Sequence, residues 1–146
     1  MEFSVRFGTP DDLDQVVDFD RSTKKGHLMW KLQNNEIVLA EADGVLLGYV
    51  RVEYLWSKYP YIGLIIVRKD RQKQGVGRRM LAFLETDLKH QGIDKLYSSS
   101  QVNEPEPQAW HRYMGFEECG VINGINEVHI GEVFFCKKLA SINAIE

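Results

Sequence analysis

The densest candidate chemistry in the chain is the stretch Gln72-Lys73-Gln74-Gly75-Val76-Gly77. Glycines carry no Cβ and let a ligand approach the backbone closely. A helix beginning there would also point free N–H groups and the positive end of its dipole at an anion such as a pyrophosphate. Arg68, Lys69, Arg71, Lys73, Arg78 and Arg79 crowd around the same stretch, a local density that suits a small polyanionic ligand. Other phosphate loops are excluded. No Gly-Lys-Ser/Thr follows, as a nucleoside-triphosphate loop requires, and Met80 stands where the dinucleotide fingerprint needs its third glycine. Taken alone, Gly75 and Gly77 serve equally well to shape a strand-to-helix turn.

The surrounding periodicities supply the elements. Phe3, Val5 and Phe7 alternate with polar residues as a half-exposed strand. Thr9, Pro10, Asp11 and Asp12 read as a helix start, with Leu13, Val16 and Val17 as its buried stripe. A second helix is expected over Ser22 to Gln33. Two β-rich runs, Glu36 to Ala42 and Val45 to Trp56, flank Asp43-Gly44, a pair suited to a tight hairpin turn. Tyr61 to Val67 is almost continuously apolar, as expected of a central strand buried on both faces.

The loop follows that strand, and a long helix follows the loop. Val76, Met80, Leu81, Leu84 and Leu88 form its apolar face, Glu85, Asp87 and Lys89 its solvent face, and Gly92 its end. Ile93 to Ser100 reads as a strand and Gln108 to Met114 as a short helix stopped by Gly115. Phe116 to Ile122 and Val128 to Leu139 read as a closing hairpin around Asn123-Gly124. The order implies one α/β domain over residues 1–146, its sheet mixed and flanked by helices, with antiparallel hairpins at the ends and a strand-helix-strand crossover about the long helix.

Composition narrows the function classes. With 146 residues, 44% apolar and 27% charged, the chain has the balance of a globular domain. A net charge of −3 argues against a nucleic-acid face. No apolar run is long enough to span a bilayer and no N-terminal signal pattern is present, so the expected location is the cytoplasm, away from membranes. Cys119 and Cys136 are too few and too unpatterned for a disulfide framework or a zinc site, and read as buried thiols. No metal is expected.

Val67 followed eight residues later by Gly75, with Gln72-x-x-Gly75-x-Gly77 between strand and helix, resembles the GNAT superfamily of N-acetyltransferases and its Q/R-x-x-G-x-G/A pattern. Asn103 ahead of a short helix that ends Met114-Gly115-Phe116 is similar to the family's second signature. The motifs fall within Ile65 to Phe116; the N-terminal half matches by element order alone.

This resemblance implies a mostly antiparallel sheet whose fourth and fifth strands splay around acetyl-CoA. It also implies that Ile65, Ile66 and Val67 line the pantetheine arm, and that Gln72, Lys73, Gln74, Gly75, Val76, Gly77 and Arg78 hold the pyrophosphate. Asn103 would contact the cofactor further along, and the Val67 backbone N–H would polarise the thioester carbonyl.

The implied reaction is acetyl transfer from acetyl-CoA to a primary amine of a small molecule or protein, by direct attack in a ternary complex. The family's thiolate-protonating tyrosine lies five residues before the Phe of its Leu-Gly-Phe, and that position here is His111. A histidine can donate a proton near neutral pH, and Tyr113 is the alternative donor. No carboxylate lies in Tyr61 to Val67, so the base is open, with Glu41 and Glu53 on neighbouring strands as candidates.

Trp30, Tyr54, Trp56, Tyr59 and Tyr61 would suit an apolar or cationic acceptor, or would fill the core. Val133, Phe134 and Phe135 would serve either a homodimer contact or the core. The absent tyrosine and carboxylate leave open a catalytically weak CoA-sensing or partner-binding module. Transfer of a longer acyl group, or to a hydroxyl, is a third reading.

Overall fold

The computed structural model describes residues 2–127 and 129–140. Among them the chain is α/β, with seven strands and four α-helices. In chain order these are β1 (Ser4–Phe7), α1 (Leu13–Phe19), α2 (Lys25–Gln33), β2 (Ile37–Ala42), β3 (Val45–Leu55), β4 (Tyr59–Val67), α3 (Val76–His90), β5 (Lys95–Gln101), α4 (Pro105–Tyr113), β6 (Glu117–Ile122) and β7 (Glu132–Lys138). The sheet order is β1-β2-β3-β4-β5-β7-β6. β1/β2, β2/β3, β5/β7 and β6/β7 pair antiparallel, and β4/β5 pairs parallel at Tyr61↔Tyr97.

The chain divides into two compact units, one of Met1–Glu53 with Leu64–Asp87, the other of Tyr54–Gly63 with Leu88–Glu146. In the first, Asp43 and Gly44 both take positive φ, 52° and 77°, the geometry of a two-residue hairpin turn whose twist matches the strands. Val16, Leu28, Leu32, Ile37, Leu39, Leu46 and Tyr49 form a core cluster, with Leu13, Val17, Phe19 and Leu64 packed against it. Val76, Met80, Leu81 and Leu84 are buried as their spacing predicts. Gly48 on β3 lets α3 come close, since a Cβ there would lie 2.7 Å from Met80 Cε and 2.9 Å from Val76 Cγ1.

Entry to α1 is a 3₁₀ turn, Pro10–Asp12. The Thr9 N–H donates to Asp12 Oδ2 at 2.7 Å, and the Arg6 guanidinium grips both oxygens of the same carboxylate at 2.8 and 2.9 Å. Asp12 therefore does more than face a helix dipole.

In the second unit β5 pairs with β7 from Lys95↔Lys138 to Gln101↔Glu132, and β6 with β7 from Glu117↔Cys136 to Ile122↔Glu132. Val133 and Phe135 are buried in this sheet, which accounts for two of the three apolar residues that could have served a dimer.

Several expectations change. α2 begins at Lys25 rather than Ser22. β4 is only half-buried towards its end, with Ile66 39% exposed, so its apolar run is not enclosed on both faces. Glu85 is buried on α3 instead of facing water. α4 starts at Pro105 rather than Gln108, so Glu104-Pro105-Glu106-Pro107 is its entry and first turn, with proline at a position whose N–H needs no partner. β7 begins at Glu132, making the β6–β7 link longer than a tight Asn123-Gly124 turn; Val128, the expected start of this strand, lies outside the described residues. Cys119 is exposed and Cys136 half-buried, because Cys119 sits at the bulge between Glu118 and Gly120 on the sheet's last strand.

Candidate active site

The loop between β4 and α3 is built to present backbone. After β4 a 3₁₀ turn, Lys69–Arg71, redirects the chain. Lys73 and Gly75 then take left-handed φ of 62° and 84°. Such a conformation is easy for glycine and uncommon for lysine, and alternating backbone of this kind turns successive N–H groups into a concavity suited to anions. The Gln72 side-chain amide donates to the Val67 carbonyl at 3.3 Å, tying the loop to the end of β4. Arg79 N–H to Gly75 O at 3.0 Å marks the first turn of α3. The sequence-predicted cradle residues Gln72, Lys73, Gln74, Gly75, Val76, Gly77 and Arg78 thus form one continuous loop and helix start.

Not all the positive charge is directed there. Arg68 pairs with Asp70 at 3.0 Å, and Arg79 donates to the Phe3 carbonyl at 2.9 Å while its guanidinium lies 4.0 Å from the centre of the Phe3 ring. Lys73 and Arg78 are exposed beside the loop. Ile65, Ile66 and Val67, expected along a pantetheine arm, form the half-open end of β4.

α4 separates the two candidate proton donors. His111 is 3% exposed. Its ring stacks on Phe135 at 4.6 Å and meets Phe116 edge-on at 5.4 Å. Burial pushes its pKa below the usual 6.5, against smaller raising contributions from the Pro107 carbonyl and the Glu132 charge. The Pro107 carbonyl, 2.7 Å from Nδ1, can only accept, so Nδ1 carries the proton; in the neutral ring Nε2 then accepts from the Ser98 hydroxyl at 2.7 Å. Both nitrogens are engaged inside the protein. Tyr113, two residues on, is 78% exposed. Asn103 is exposed in the turn before α4, a turn held by the Gln108 side chain donating to Gln101 O and Val102 O at 3.1 and 2.9 Å.

The carboxylates considered as bases are ion-paired. Glu41 accepts from Arg6 Nε at 2.7 Å, and that hydrogen bond holds its pKa below the usual range. Glu53 accepts from Lys31 at 2.7 Å and also pairs with Arg51. Lys31 spends its other two donors on Glu36 Oε1 and Val52 O, at 2.8 and 2.6 Å. Behind this chain, the buried Asp20 accepts from Tyr49 and Arg51, each at 2.7 Å, and from Thr23 at 2.8 Å. A cavity of about 660 Å³ opens over the network, lined by Lys24, Gly26, His27, Trp30, Lys31 and Glu53, with Trp30 52% exposed.

Sequence reasoning missed a polar chain on β4, β5 and β7. Tyr61 Oη lies 2.6 Å from Ser99 Oγ, and Ser99 donates to Glu132 Oε2 at 2.5 Å. No local signal could have found it, because strand pairing alone brings residues 61, 99 and 132 together. The remaining aromatic candidates divide. Tyr61 stacks on Phe134 at 5.6 Å, Tyr59 packs edge-on to Tyr97, and Trp56 is 88% exposed in the β3–β4 turn.

A parallel strand pair, a backbone-rich loop and a helix N-terminus next to exposed cations characterise this α/β chain. Comparison with known proteins makes this specific. Residues 7–116 match the acetyltransferase (GNAT) family, and the chain belongs to that family. It is 32% identical over 97 residues to a UPF0039 protein of Schizosaccharomyces pombe, an alignment covering 66% of this chain and 57% of the relative. The matched region is thus little more than half the length of that relative. Among solved structures, the ribosomal-protein-alanine N-acetyltransferase of Brucella melitensis is similar with a TM-score of 0.78 at 19% identity, covering 93% of this chain and 99% of that one. The protein yncA of Salmonella typhimurium, solved with its cofactor acetyl-CoA, has a TM-score of 0.79 at 14% identity, covering 94% of each chain. At such identities the likeness is one of fold.

Proposed function

We propose that this chain transfers an acetyl group from acetyl-CoA to a primary amine of a small molecule or a protein, by direct attack in a ternary complex. The observation that carries the reading is the loop Gln72–Gly77 opening into α3, with left-handed backbone at Lys73 and Gly75. Its glycines leave room for a phosphate, its helix start supplies N–H donors, and Lys73 and Arg78 supply charge. The half-open apolar end of β4 at Ile65–Val67 suits a pantetheine arm. Bound there, acetyl-CoA supplies the activated acyl group. The chain's own contribution is to hold it, to offer the Val67 backbone N–H to the thioester carbonyl, and to move protons.

Tyr113 is the proton donor favoured by this geometry, since its side chain reaches solvent whereas both ring nitrogens of His111 are committed to Ser98 and Pro107. The cavity beside α2, with the indole of Trp30 and the carboxylate of Glu53, offers an aromatic face and a charge to an acceptor. A CoA-sensing module is the second reading, favoured by the burial of His111 at the position where the resemblance puts the acid.

Thiol release from acetyl-CoA, followed across a panel of primary amines, tests the assignment. Amine-dependent release that falls about 100-fold in Tyr113→Phe and changes far less in His111→Gln is expected of a transferase with a tyrosine acid. Acetyl-CoA binding without release for any amine would leave the sensing module.

A further inference from the structure

The sequence offers no carboxylate on β4, and the two candidates on β2 and β3, Glu41 and Glu53, are held by Arg6 and by Lys31 with Arg51. The structure supplies one from β7. Tyr61 of β4, Ser99 of β5 and Glu132 of β7 form an unbroken hydrogen-bonded chain, 2.6 Å from Tyr61 Oη to Ser99 Oγ and 2.5 Å from Ser99 Oγ to Glu132 Oε2. Asn126 donates to the other oxygen, Glu132 Oε1, at 2.8 Å and so fixes the carboxylate.

The chain has a direction. An ionised carboxylate can only accept, so Ser99 spends its one proton on Glu132 and Tyr61 must donate to Ser99. All three residues are half-buried. Stacking on Phe134 at 5.6 Å orients the Tyr61 ring. Ser99 from β5 and Asn126 from the loop before β7 contact Glu132, and its charge also acts at a distance on the His111 imidazole of α4, whose protonation burial opposes.

We propose that Tyr61, Ser99 and Glu132 are the proton relay that deprotonates the acceptor amine, with Tyr61 Oη as the group that touches it. This rests on the acetyl-transfer reading. As the nitrogen attacks, its N–H bond breaks and a new O–H bond forms at Tyr61 Oη. The Tyr61 proton passes to Ser99 Oγ and the Ser99 proton to Glu132 Oε2. Tyrosine and serine end as they began, and one carboxylate has become a carboxylic acid that returns its proton to solvent. Ser99 and Glu132 act through Tyr61 and are positioning residues.

The test uses the whole chain with acetyl-CoA and the best amine from a panel of polyamines and peptides with free N-termini. Wild type, Tyr61→Phe, Ser99→Ala, Ser99→Thr and Glu132→Gln are compared in kcat/KM for the amine over pH 6 to 10, alongside calorimetric acetyl-CoA affinity and thermal melts. The relay predicts a loss of about 100-fold or more in Tyr61→Phe, Ser99→Ala and Glu132→Gln. It also predicts recovery in Ser99→Thr, which keeps the hydroxyl, and an acid limb in Glu132→Gln displaced to higher pH, where the amine deprotonates unaided. Acetyl-CoA affinity should not change. Folded variants with wild-type rates and an unmoved acid limb would overturn the proposal. So would acetyl-CoA binding with no amine turned over, which leaves the cofactor site standing; no acetyl-CoA binding by wild type would instead remove the acetyl-transfer reading itself.

Discussion

Asp20 shows how a single buried charge is made tolerable. Its side chain has no solvent exposure, and burial is the largest influence on its ionisation, opposing the charge. Hydrogen bonds from Tyr49, Thr23 and Arg51 together outweigh it and hold the pKa below the usual carboxylate value. Removing one partner of such a buried pair destabilises by about 3–5 kcal/mol, because the other charge is left uncompensated. Asp20→Asn, which leaves Arg51 paired with Glu53 alone, is expected to lose part of that stability in urea titration. A carboxyl with a depressed folded pKa contributes stability above its unfolded pKa and loses it as pH falls through the folded value. The wild type should therefore shed this contribution below about pH 4, and Asp20→Asn has none to shed.

His111 acts in the same direction but at higher pH. With its folded pKa below 6.5, the unfolded chain binds a proton that the native chain refuses, so stability falls as pH drops from about 6.5 towards the folded value. Urea titrations at pH 7.0, 6.0 and 5.5 should show that slope in wild type and a flatter one in His111→Gln. Equal slopes would mean that His111 protonates freely and is not enclosed by Phe135 and Phe116.

α3 carries the cradle, and its position depends on a residue far from the loop. The close approach at Gly48 meets the flexible end of Met80 but also the stiff β-branched Val76, the first residue of the helix. Gly48→Ala should cost about 1–3 kcal/mol by overpacking. It should also weaken acetyl-CoA binding more than a melt at the same loss of stability would explain, because the displaced end is the one proposed to hold phosphate. An unchanged affinity would separate the cradle from this packing contact.

α3 was legible in the sequence because its apolar stripe is long and its end is marked by Gly92, whose φ is +78°. The start of α4 was not. Four residues of alternating Glu and Pro look like a loop, but proline is welcome in a first helical turn, where tertiary structure and not periodicity decides. The end of β4 was misread for a related reason. An apolar run signals contact with something apolar, yet Ile65–Val67 lie half-open in the chain itself.

For the molecule as a whole, the family was readable because its signature is local, a loop of six residues between a strand and a helix. Spacing from Phe116 lands on His111, and only its packing on Phe135 shows that ring to be enclosed. Ion pairs reaching from Arg6 to Glu41 and from Lys31 to Glu53 likewise hid the fact that both candidate bases were occupied.

On the proposed function, Gln72–Gly77 and the start of α3 hold the pyrophosphate of acetyl-CoA. Calorimetric titration of acetyl-CoA into wild type and into the Gly75→Asp/Gly77→Asp variant tests it most directly, with far-UV spectra to show that both are folded. The predicted result is micromolar binding in wild type and none in the variant, where two carboxylates fill the cradle. Equal binding by both proteins, or no binding by wild type, would contradict it.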